Sequence, residues 1–338
     1  MSYLCRELDT HHSMNNTQFS MQRYLHHTLL TFLALFLLTC FTSCSNHSET
    51  SKGKIAVVIS TLNNPWFVVL GEAAVQRAEE LGYEAVLFDS QNNPSKEQEH
   101  FDNLLSSGYK AVLFNPTDAD GSAVNAKAAA RAGVGVFCMD REINEPDACV
   151  TQILSDNYSG CIQLGQYFVE VMNGRGNYVE ILGIVGDNNT WARSRGFHSV
   201  VDCYEDLHML SQQTADFDQN KAMEVMESMM QANPNIDAVF CGNDAMAMGA
   251  YQAVLGAGKE NHIKVFGFDG AEDCVNAIRE GKVEATGMQF PKTMATTAAE
   301  LADKWLRGER NLPKKLPVAV ELVNGLNVSH YGHFGRLD

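Results

Sequence analysis

The chain has 338 residues, of which 45% are hydrophobic and 20% are charged. This balance is typical of folded globular proteins, and the length allows two α/β lobes with a core in each. The formal net charge of −16 disfavours nucleic acid and anionic lipid as partners, because both bind clustered lysines and arginines. A small neutral molecule is the partner that this charge disfavours least.

Residues 1–44 are predicted to be an export leader rather than part of the fold. An apolar run at 29–38 follows a basic flank that contains Arg23, and small polar residues come after it, which is the order of a secretory signal. The run is shorter than the roughly 20 residues that span a membrane. Residues 45–53 are interpreted as a tether, so the mature protein is expected in the periplasm or another extracytoplasmic space. Met14 and Met21 remain alternative start positions.

The end of this leader leaves two alternatives open. Residues 41–44, Phe-Thr-Ser-Cys, resemble a bacterial lipobox, in which Cys44 would carry a lipid that tethers the mature protein to a membrane. The phenylalanine at the first position of the box is atypical. The alternative is plain cleavage, which would release a soluble protein without an anchor.

Nine cysteines occur in the chain, and three of them fall in the leader. The other six are scattered, with neither a CxxC pair nor the spacing of a zinc site. Cys138 and Cys241 lie inside apolar runs, where a cysteine behaves as a small buried hydrophobe. Mostly free, buried thiols are therefore predicted, and one disulfide is left open.

From residue 54 onward, short apolar runs alternate with stretches of helical spacing. Runs that are apolar on both faces are typical of parallel strands covered by helices on each side. Glycines follow the predicted helices, as they commonly do at helix C-termini. The first set comprises strands at 54–60, 84–90, 111–115 and 134–140 and helices at 67–81, 96–105 and 123–132.

The same alternation starts again after Asp156. Two successive sets of βα units predict an α/β fold of two doubly wound parallel-sheet lobes. No low-complexity linker separates the sets, so short strand-like crossings are expected to join the lobes and act as hinges. The second set comprises strands at 178–185, 208–212, 238–241, 264–269, 284–289 and 318–323 and helices at 162–172, 191–204, 221–231, 245–255, 274–278 and 293–305.

Polar residues stand at the carboxyl ends of the predicted strands. In open α/β sheets, ligands bind just outside these strand ends. Two such edges that face each other would form a cleft lined by groups that bind hydroxyls. The residues concerned are Ser60, Asn115, Asp140, Asn243, Asp269 and Gln289.

Sequence motifs of the common enzyme classes are absent. The chain has no GxxxxGK[ST] phosphate loop, GxGxxG turn, GxSxG elbow or HExxH helix. The spacing of Asp216, Asp218, Asn220 and Glu227 approaches a calcium loop, but Lys221 stands where that loop requires glycine. The chain is therefore expected not to be an enzyme and to need neither a metal nor a cofactor.

Eight segments, in order, resemble the ribose-binding members of the type I periplasmic binding protein family. The resemblance covers nearly everything from residue 54 to about 323. The segments are STLNNPWF at 60–67, FDSQNNP at 88–94, NPTD at 115–118, MDR at 139–141, SDN at 155–157, DFD at 216–218, ND at 243–244 and GFDG at 267–270.

The resemblance implies a fold and a task. Its three-strand hinge would cross near 155–156, at 289–290 and near 313–316. The first lobe would be residues 54–155 plus 290–315, and the second 156–289 plus 316–338. A small neutral sugar, ribose or a related pentose, branched sugar or polyol, would bind between the lobes. The closed protein would deliver it to the membrane subunits of an ABC importer.

The resemblance also implies ligand-binding residues in three groups. The hydrogen-bonding groups of the first lobe are Asn64, Asp140 and Arg141. Those of the second lobe and hinge are Arg193, Asn243, Asp269 and Gln289. The aromatic walls are Trp66, Phe67 and Phe217. Positions at the edge of the site are Ser60, Asn115 and Phe268.

Two departures from the ribose-binding pattern bear on ligand identity. Trp66 stands where those proteins carry phenylalanine, and the loop at 186–193 is longer and bulkier than their small-residue version. Both change the expected pocket volume. A smaller pentose, a branched sugar such as apiose, a tetritol or a furanose-like signalling molecule therefore remain alternatives to ribose.

Two other function classes share the core or the binding site expected of this chain. A sugar-responsive transcription regulator shares this type of core, but it requires a helix-turn-helix before the first strand, where this chain has an export signal. A sensor that presents its closed form to a chemoreceptor or sensor kinase uses the same site as a transport protein. The sequence does not separate that alternative from import.

Overall fold

The computed structural model describes residues 51–337. The predicted leader at 1–44, with the proposed lipidation site Cys44, and most of the tether at 45–53 lie outside these residues. Within 51–337, none of the helices combines the length and the apolar character needed to cross a membrane.

The first lobe is a six-stranded parallel sheet with helices on both faces. Its strands are β1 (Lys54–Ile59), β2 (Glu84–Asp89), β3 (Ala111–Phe114), β4 (Gly135–Met139), β5 (Thr151–Ser155) and β11 (Lys315–Val318), in the order β11-β5-β4-β3-β1-β2. Its helices are α1 (Pro65–Glu80), α2 (Pro94–Ser106), α3 (Gly121–Arg131) and α9 (Pro291–Leu306). Ile55 and Val57 pack against α1 and α9, whereas Ala56 and Val58 pack against α2 and α3. The alternation of strand side chains thus fills two cores.

The second lobe repeats this arrangement. Its strands are β6 (Gly176–Leu182), β7 (Leu207–Thr214), β8 (Ala238–Cys241), β9 (Lys264–Asp269), β10 (Ala285–Met288) and β12 (Glu321–Asn324), in the order β12-β10-β9-β8-β6-β7. Its helices are α4 (Asn157–Val171), α5 (Asn188–Val201), α6 (Gln219–Ala232), α7 (Asp244–Gly256) and α8 (Glu272–Arg279). Val239 packs with α6 and α7, and Phe240 packs with α4 and α5. Within this six-stranded sheet β12 runs antiparallel to its neighbour β10 and the other pairs are parallel; Tyr331–Gly332 and Gly335–Arg336 form a separate two-stranded antiparallel sheet.

The end of the chain differs from the prediction. A single strand was expected at 318–323 and a lobe boundary at 315/316, but β11 pairs with β5 in the first sheet and β12 pairs with β10 in the second. The third crossing therefore lies at 319–320, between the two strands. An apolar run divided between two sheets has the same pattern as one strand. Pro317 fits β11 because this strand is at the edge of its sheet, where a missing N–H is tolerated.

Strand β5 was not predicted as a strand. It contains the buried polar residues Thr151 and Gln152, which interrupt the apolar pattern. The Gln152 side chain is satisfied by the backbone of Ile143, accepting from its N–H at 2.9 Å and donating to its carbonyl at 3.2 Å. This internal hydrogen bonding allows a polar side chain inside the sheet.

Candidate functional site

One cavity between the two lobes gathers side chains from both. It contains about 290 Å³ of space, including its opening to solvent. The lining residues are Asn64, Trp66, Phe67, Asp140, Arg141, Asp187, Asn189, Arg193, Phe217, Asn243, Asp269 and Gln289.

Ten of these twelve are the residues to which the sequence resemblance assigned ligand binding. The strand ends explain why they meet: Asp140 follows β4 and Asp269 ends β9, so parallel strands bring both carboxyl groups to the facing sheet edges. Asn64 and Asn243 cap the helices α1 and α7. Each uses its side-chain oxygen to accept a backbone N–H at 2.9 Å, which leaves the amide nitrogen as a donor.

Three lining residues have a left-handed backbone. The φ angles are 65° at Asp140, 134° at Asp269 and 61° at Phe217. For a residue other than glycine, such a conformation costs on the order of 1–3 kcal/mol and is retained where the surrounding structure imposes it. Both carboxyl groups and one aromatic wall are thus held in directions that an unstrained strand end would not give.

Arg193 is held by hydrogen bonds within the second lobe. Its Nε donates to Asn157 Oδ1 at 2.9 Å and its Nη1 donates to the carbonyl of Gly242 at 2.7 Å. Nη1 also lies 3.3 Å from Asp269 Oδ1, and the guanidinium stacks 4.2 Å from the ring centre of Phe268. Such a planar, pre-organised fork suits adjacent hydroxyl oxygens.

Arg141 is held differently, because it takes a carboxylate partner from the opposite lobe. Its Nε lies 2.8 Å from Asp187 Oδ2 in a buried ion pair, although the two atoms are not aligned as a hydrogen bond. Within its own lobe, Arg141 donates to the carbonyl of Pro116 at 3.3 Å. Its guanidinium also lies 5.0 Å from the ring centre of Phe67.

The aromatic side chains come from both lobes. Trp66 and Phe67, in the first turn of α1, meet edge to face at 5.3 Å. Phe217 covers Gly183, where an added Cβ would lie 2.0 Å from the ring. Only glycine therefore leaves room for this orientation of Phe217.

The three edge positions lie behind the cavity and contact its lining. Ser60 Oγ donates to Asn115 Oδ1 at 2.6 Å, and Asn115 Nδ2 lies 3.4 Å from Asp140 Oδ2. The ring of Phe268 packs against the guanidinium of Arg193. None of the three lines the cavity itself, so their contacts are with lining side chains.

Two lining residues were missed by the sequence analysis. Asp187 and Asn189 belong to the bulky loop that departs from the ribose-binding pattern, but no role was predicted for their side chains. Asn189 Nδ2 donates to the carbonyl of Asp140 at 3.3 Å, and Asn189 Oδ1 accepts from Asn157 Nδ2 at 2.9 Å. The length and polarity of the loop were the only indications in the sequence.

This loop forms what we call the interlobe latch, residues 186–189 of the second lobe with their first-lobe partners. Besides the Arg141–Asp187 ion pair and the Asn189–Asp140 hydrogen bond, the N–H of Ala119 donates to the carbonyl of Gly186 at 3.2 Å. Asn188 Nδ2 donates to Asn144 Oδ1 at 2.8 Å. The lobes are therefore closed on this side by direct protein contacts.

A groove enters the cleft on another side. It contains about 1680 Å³, including its opening to solvent, and it shares Asn64, Phe67, Arg141, Phe217 and Asp269 with the cavity. Its outer wall includes Phe334 near the C-terminus. The cleft is thus closed at the latch and wider at this groove.

Burial shifts the titration of both aspartates. Desolvation raises the pKa of Asp140 to about 7, with a further increase from the charge of Asp187 and opposing effects of the two arginines. Desolvation likewise raises the pKa of Asp269 to about 8, with Arg193 opposing the shift. A ligand that donates hydrogen bonds to these two carboxylates favours their charged form and so lowers both pKa values.

Comparison with known proteins identifies the family. A sequence profile described as the periplasmic binding protein domain matches residues 55–310, which is most of the chain. The chain belongs to the periplasmic binding protein family. The resemblance stated from the sequence is therefore confirmed.

Two curated relatives illustrate the similarity. The ribose import binding protein RbsB of Salmonella typhimurium is 40% identical over 273 residues, which cover 81% of this chain and 91% of that protein. The D-apiose import binding protein of Paraburkholderia graminis is 34% identical over 307 residues, covering 90% of this chain and 96% of that protein. Both are named as binding proteins, and this periplasmic binding protein is accordingly not an enzyme.

A solved structure confirms the fold class. An ABC transporter solute binding protein from Bacillus halodurans, with bound myo-inositol, superposes with a TM-score of 0.79 at 26% identity. The superposition covers 85% of this chain and 100% of that chain. The predicted α/β architecture of two lobes is therefore correct.

Proposed function

We propose that this periplasmic binding protein captures one small neutral sugar in the interlobe cavity and delivers it to an ABC importer. The observation that carries the proposal is the convergence of ten side chains from both lobes on one cavity. Relatives named for ribose and apiose import support a sugar as the ligand. The same residues are those that the resemblance assigned to ligand binding.

The chemistry of the cavity fits a polyhydroxylated ring. Asp140 and Asp269 accept hydrogen bonds from hydroxyls, and Arg141 and Arg193 donate to oxygens, so that each hydroxyl finds a partner of either kind. Aromatic rings supply apolar contact for the C–H faces of a sugar. A site with buried polar groups on every side rejects an analogue that lacks a hydroxyl.

Two lining atoms also favour a polar ligand. Trp66 Nε1 and Gln289 Oε1 are buried, and the described residues offer neither of them a hydrogen-bond partner. Buried polar atoms without a partner are rare in folded proteins and need an explanation. A sugar hydroxyl can accept from the indole and donate to the amide oxygen.

Ribose is the first ligand we propose, with related pentoses, branched sugars and polyols as the remaining candidates. The side chains of Trp66 and of the latch occupy space in the site, which favours a compact ligand. The sensor alternative uses the same closed form, and no contact among residues 51–337 favours it over import.

Closure couples binding to delivery. Neither lobe alone surrounds the cavity, so a ligand that contacts both shifts the open–closed equilibrium toward the closed form by its differential affinity. We propose that the membrane subunits of the importer recognise this closed form. We further propose export to the periplasm, with a lipid anchor if Cys44 is modified. The intact mass of the mature protein distinguishes an N-terminus that carries a lipid from one that is cleaved without a lipid.

A thermal-shift screen tests the proposal. The purified protein is heated with D-ribose, D-apiose, D-allose, L-arabinose, myo-inositol and erythritol, each in excess. A ligand at one hundred times its Kd stabilises the folded state by about 2.7 kcal/mol, and we expect the largest rise in Tm with ribose or apiose. A folded protein whose Tm responds to none of these compounds would contradict the proposal.

A further inference from the structure

Two cysteines of the first lobe have their sulfur atoms in contact. Cys138 in β4 and Cys149, which follows the short turn Pro146–Ala148, place their Sγ atoms 3.0 Å apart. Both side chains are buried, at 0% and 3% exposure. Nonbonded carbon atoms already prefer about 3.5–4.0 Å, and sulfur is larger. The two thiols are therefore closer than an ordinary packing contact.

The remaining cysteines show no such pairing among residues 51–337. Cys161 is a buried residue of α4, and Cys241 and Cys274 lie in the core on the opposite face of the second sheet. Cys203 is exposed, and its Sγ contacts the carbonyl of Ser199. No second pair of described cysteines brings its sulfurs within 4.0 Å, so Cys138 and Cys149 are the pair to consider.

We propose that Cys138 and Cys149 form a disulfide in the exported protein. This inference rests on the export proposed above, because disulfides persist in the periplasm and are rare in the cytosol. The thiolate of one cysteine attacks a disulfide of an oxidising thiol–disulfide protein and forms a mixed disulfide. The thiolate of the other then attacks that bond, and the oxidant leaves with both electrons as a dithiol.

The pairing must form before the lobe is fully packed. Burial, together with the neighbouring Cys149, raises the pKa of the Cys138 thiol well above its usual range, and only a thiolate is reactive. Reaction with an external oxidant therefore belongs to the folding chain, in which the segment between β4 and β5 is still accessible. Once the lobe is packed, the bond is shielded from reductants.

The bond would close a loop that carries binding and latch residues. Residues 138–149 include Asp140 and Arg141, which line the cavity, and Asn144, which bonds Asn188 across the cleft. The backbone N–H of Asn144 also donates to the carbonyl of Ala119 at 2.9 Å. A covalent link at the base of this loop would hold its ligand groups in place.

Peptide mapping without reduction tests the pairing directly. The protein is isolated from whole cells that express the full chain, denatured and alkylated, and then digested with trypsin and endoproteinase Asp-N. Cleavage after Arg141 and before Asp156 separates Cys138, Cys149 and Cys161 onto different peptides. We expect the peptides of Cys138 and Cys149 to be linked, with the loss of two hydrogens, and Cys161 to be alkylated. Quantitative alkylation of both Cys138 and Cys149, in the protein from cells and again after the oxidative refolding described below, would overturn the proposal.

Refolding separates this inference from export. Denatured, reduced protein is refolded with oxidised glutathione and mapped in the same way. A link that forms on refolding but is missing from cells would support the pairing and count against export to an oxidising compartment. A refolded protein that binds sugar but lacks the link would overturn the pairing alone.

A stability measurement provides a second readout. Wild-type protein that is unfolded and reduced, and then refolded with its thiols kept reduced, should have a Tm lower than that of the oxidised wild type by on the order of 5 °C, because the closed loop no longer restricts the unfolded chain. The double variant Cys138→Ala, Cys149→Ala should have a lower Tm that does not respond to reductant. Cys203→Ser, which changes an exposed cysteine, serves as the matched control and should respond as the wild type does. An equal Tm of the oxidised and the reduced wild type would contradict the proposal.

Discussion

Arg193 and Arg141 line the same cavity from opposite lobes, but they are held in different ways. The side-chain and carbonyl partners of Arg193, namely Asn157, Gly242 and Asp269, all belong to its own lobe. The carboxylate partner of Arg141 is Asp187, which belongs to the other lobe. The second-lobe half of the site is thus organised before closure, whereas the first-lobe half is completed by closure.

This difference separates recognition from closure. Substitutions in the second lobe should remove ligand contacts that exist in both the open and the closed form. Substitutions in the latch should leave those contacts in place and change how often, and for how long, the lobes are closed. The predictions below follow this division, beginning with the largest expected effect.

The largest effect is expected for Arg193→Ala. Its loss removes charged hydrogen bonds and leaves Asp269 buried without its cationic partner, so sugar affinity should fall at least about 100-fold. Sugar-induced thermal shifts and equilibrium titration measure the change. Arg195→Ala, at an exposed position on the same helix, is the control and should bind as the wild type does. Equal losses in both variants would show that Arg193 has no specific role.

A smaller effect is expected for Asp187→Asn, which uncouples the latch from Arg141. The second-lobe contacts remain, so the Kd should rise about 10-fold, mainly through faster dissociation from a less stable closed form. Stopped-flow dissociation kinetics measure this change. Asp206→Asn, at an exposed aspartate of the same lobe, is the matched control. An unchanged dissociation rate of the sugar from Asp187→Asn would show that the latch does not stabilise the closed form.

The pH dependence follows from the two buried aspartates. Their pKa values rise from an ordinary 3.8 to about 7 at Asp140 and about 8 at Asp269, so the folded protein holds protons that the unfolded chain releases. Stability is then highest below pH 4 as far as these groups are concerned, and it falls as pH rises through about 8. Without sugar, the Tm should decrease between pH 5 and 8, and Asp140→Asn should flatten part of this decrease. A Tm that rises over the same range in the wild type but not in Asp140→Asn would contradict the assignment.

The smallest effect is expected for Gly183→Ala. The added methyl group would displace the ring of Phe217, which removes one aromatic wall while leaving the polar contacts, so affinity should fall about 3- to 10-fold. Gly325→Ala, where nothing lies within 4 Å of the added Cβ, is the control. Titration with the best ligand of the screen distinguishes the two variants. Equal affinities would show that the Phe217 ring does not contribute.

The sequence predicted those parts of the molecule that depend on local pattern. Strand ends carry Asp140 and Asp269, and because the sheets are parallel their order along the chain is enough to bring both to the cleft. The Arg141–Asp187 ion pair could not be predicted from the local pattern, since its partners lie in different lobes and meet only when the lobes close. The contact of Cys138 with Cys149 could not be predicted either, because it depends on how the turn before β5 folds back under β4. The division of one apolar run between β11 and β12 is a third case, in which two sheets share a pattern typical of a single strand.

We expect one ligand to contact both lobes and, by closing the cleft, to complete the first-lobe half of the binding site. Hydrogen–deuterium exchange with and without the best sugar of the screen tests it most directly. We expect slower exchange in the segment 139–144 of the first lobe, in the latch at 186–189 and in the strand ends around 269 and 289 of the second lobe. Slower exchange confined to one lobe, or located away from the cleft, would contradict the claim.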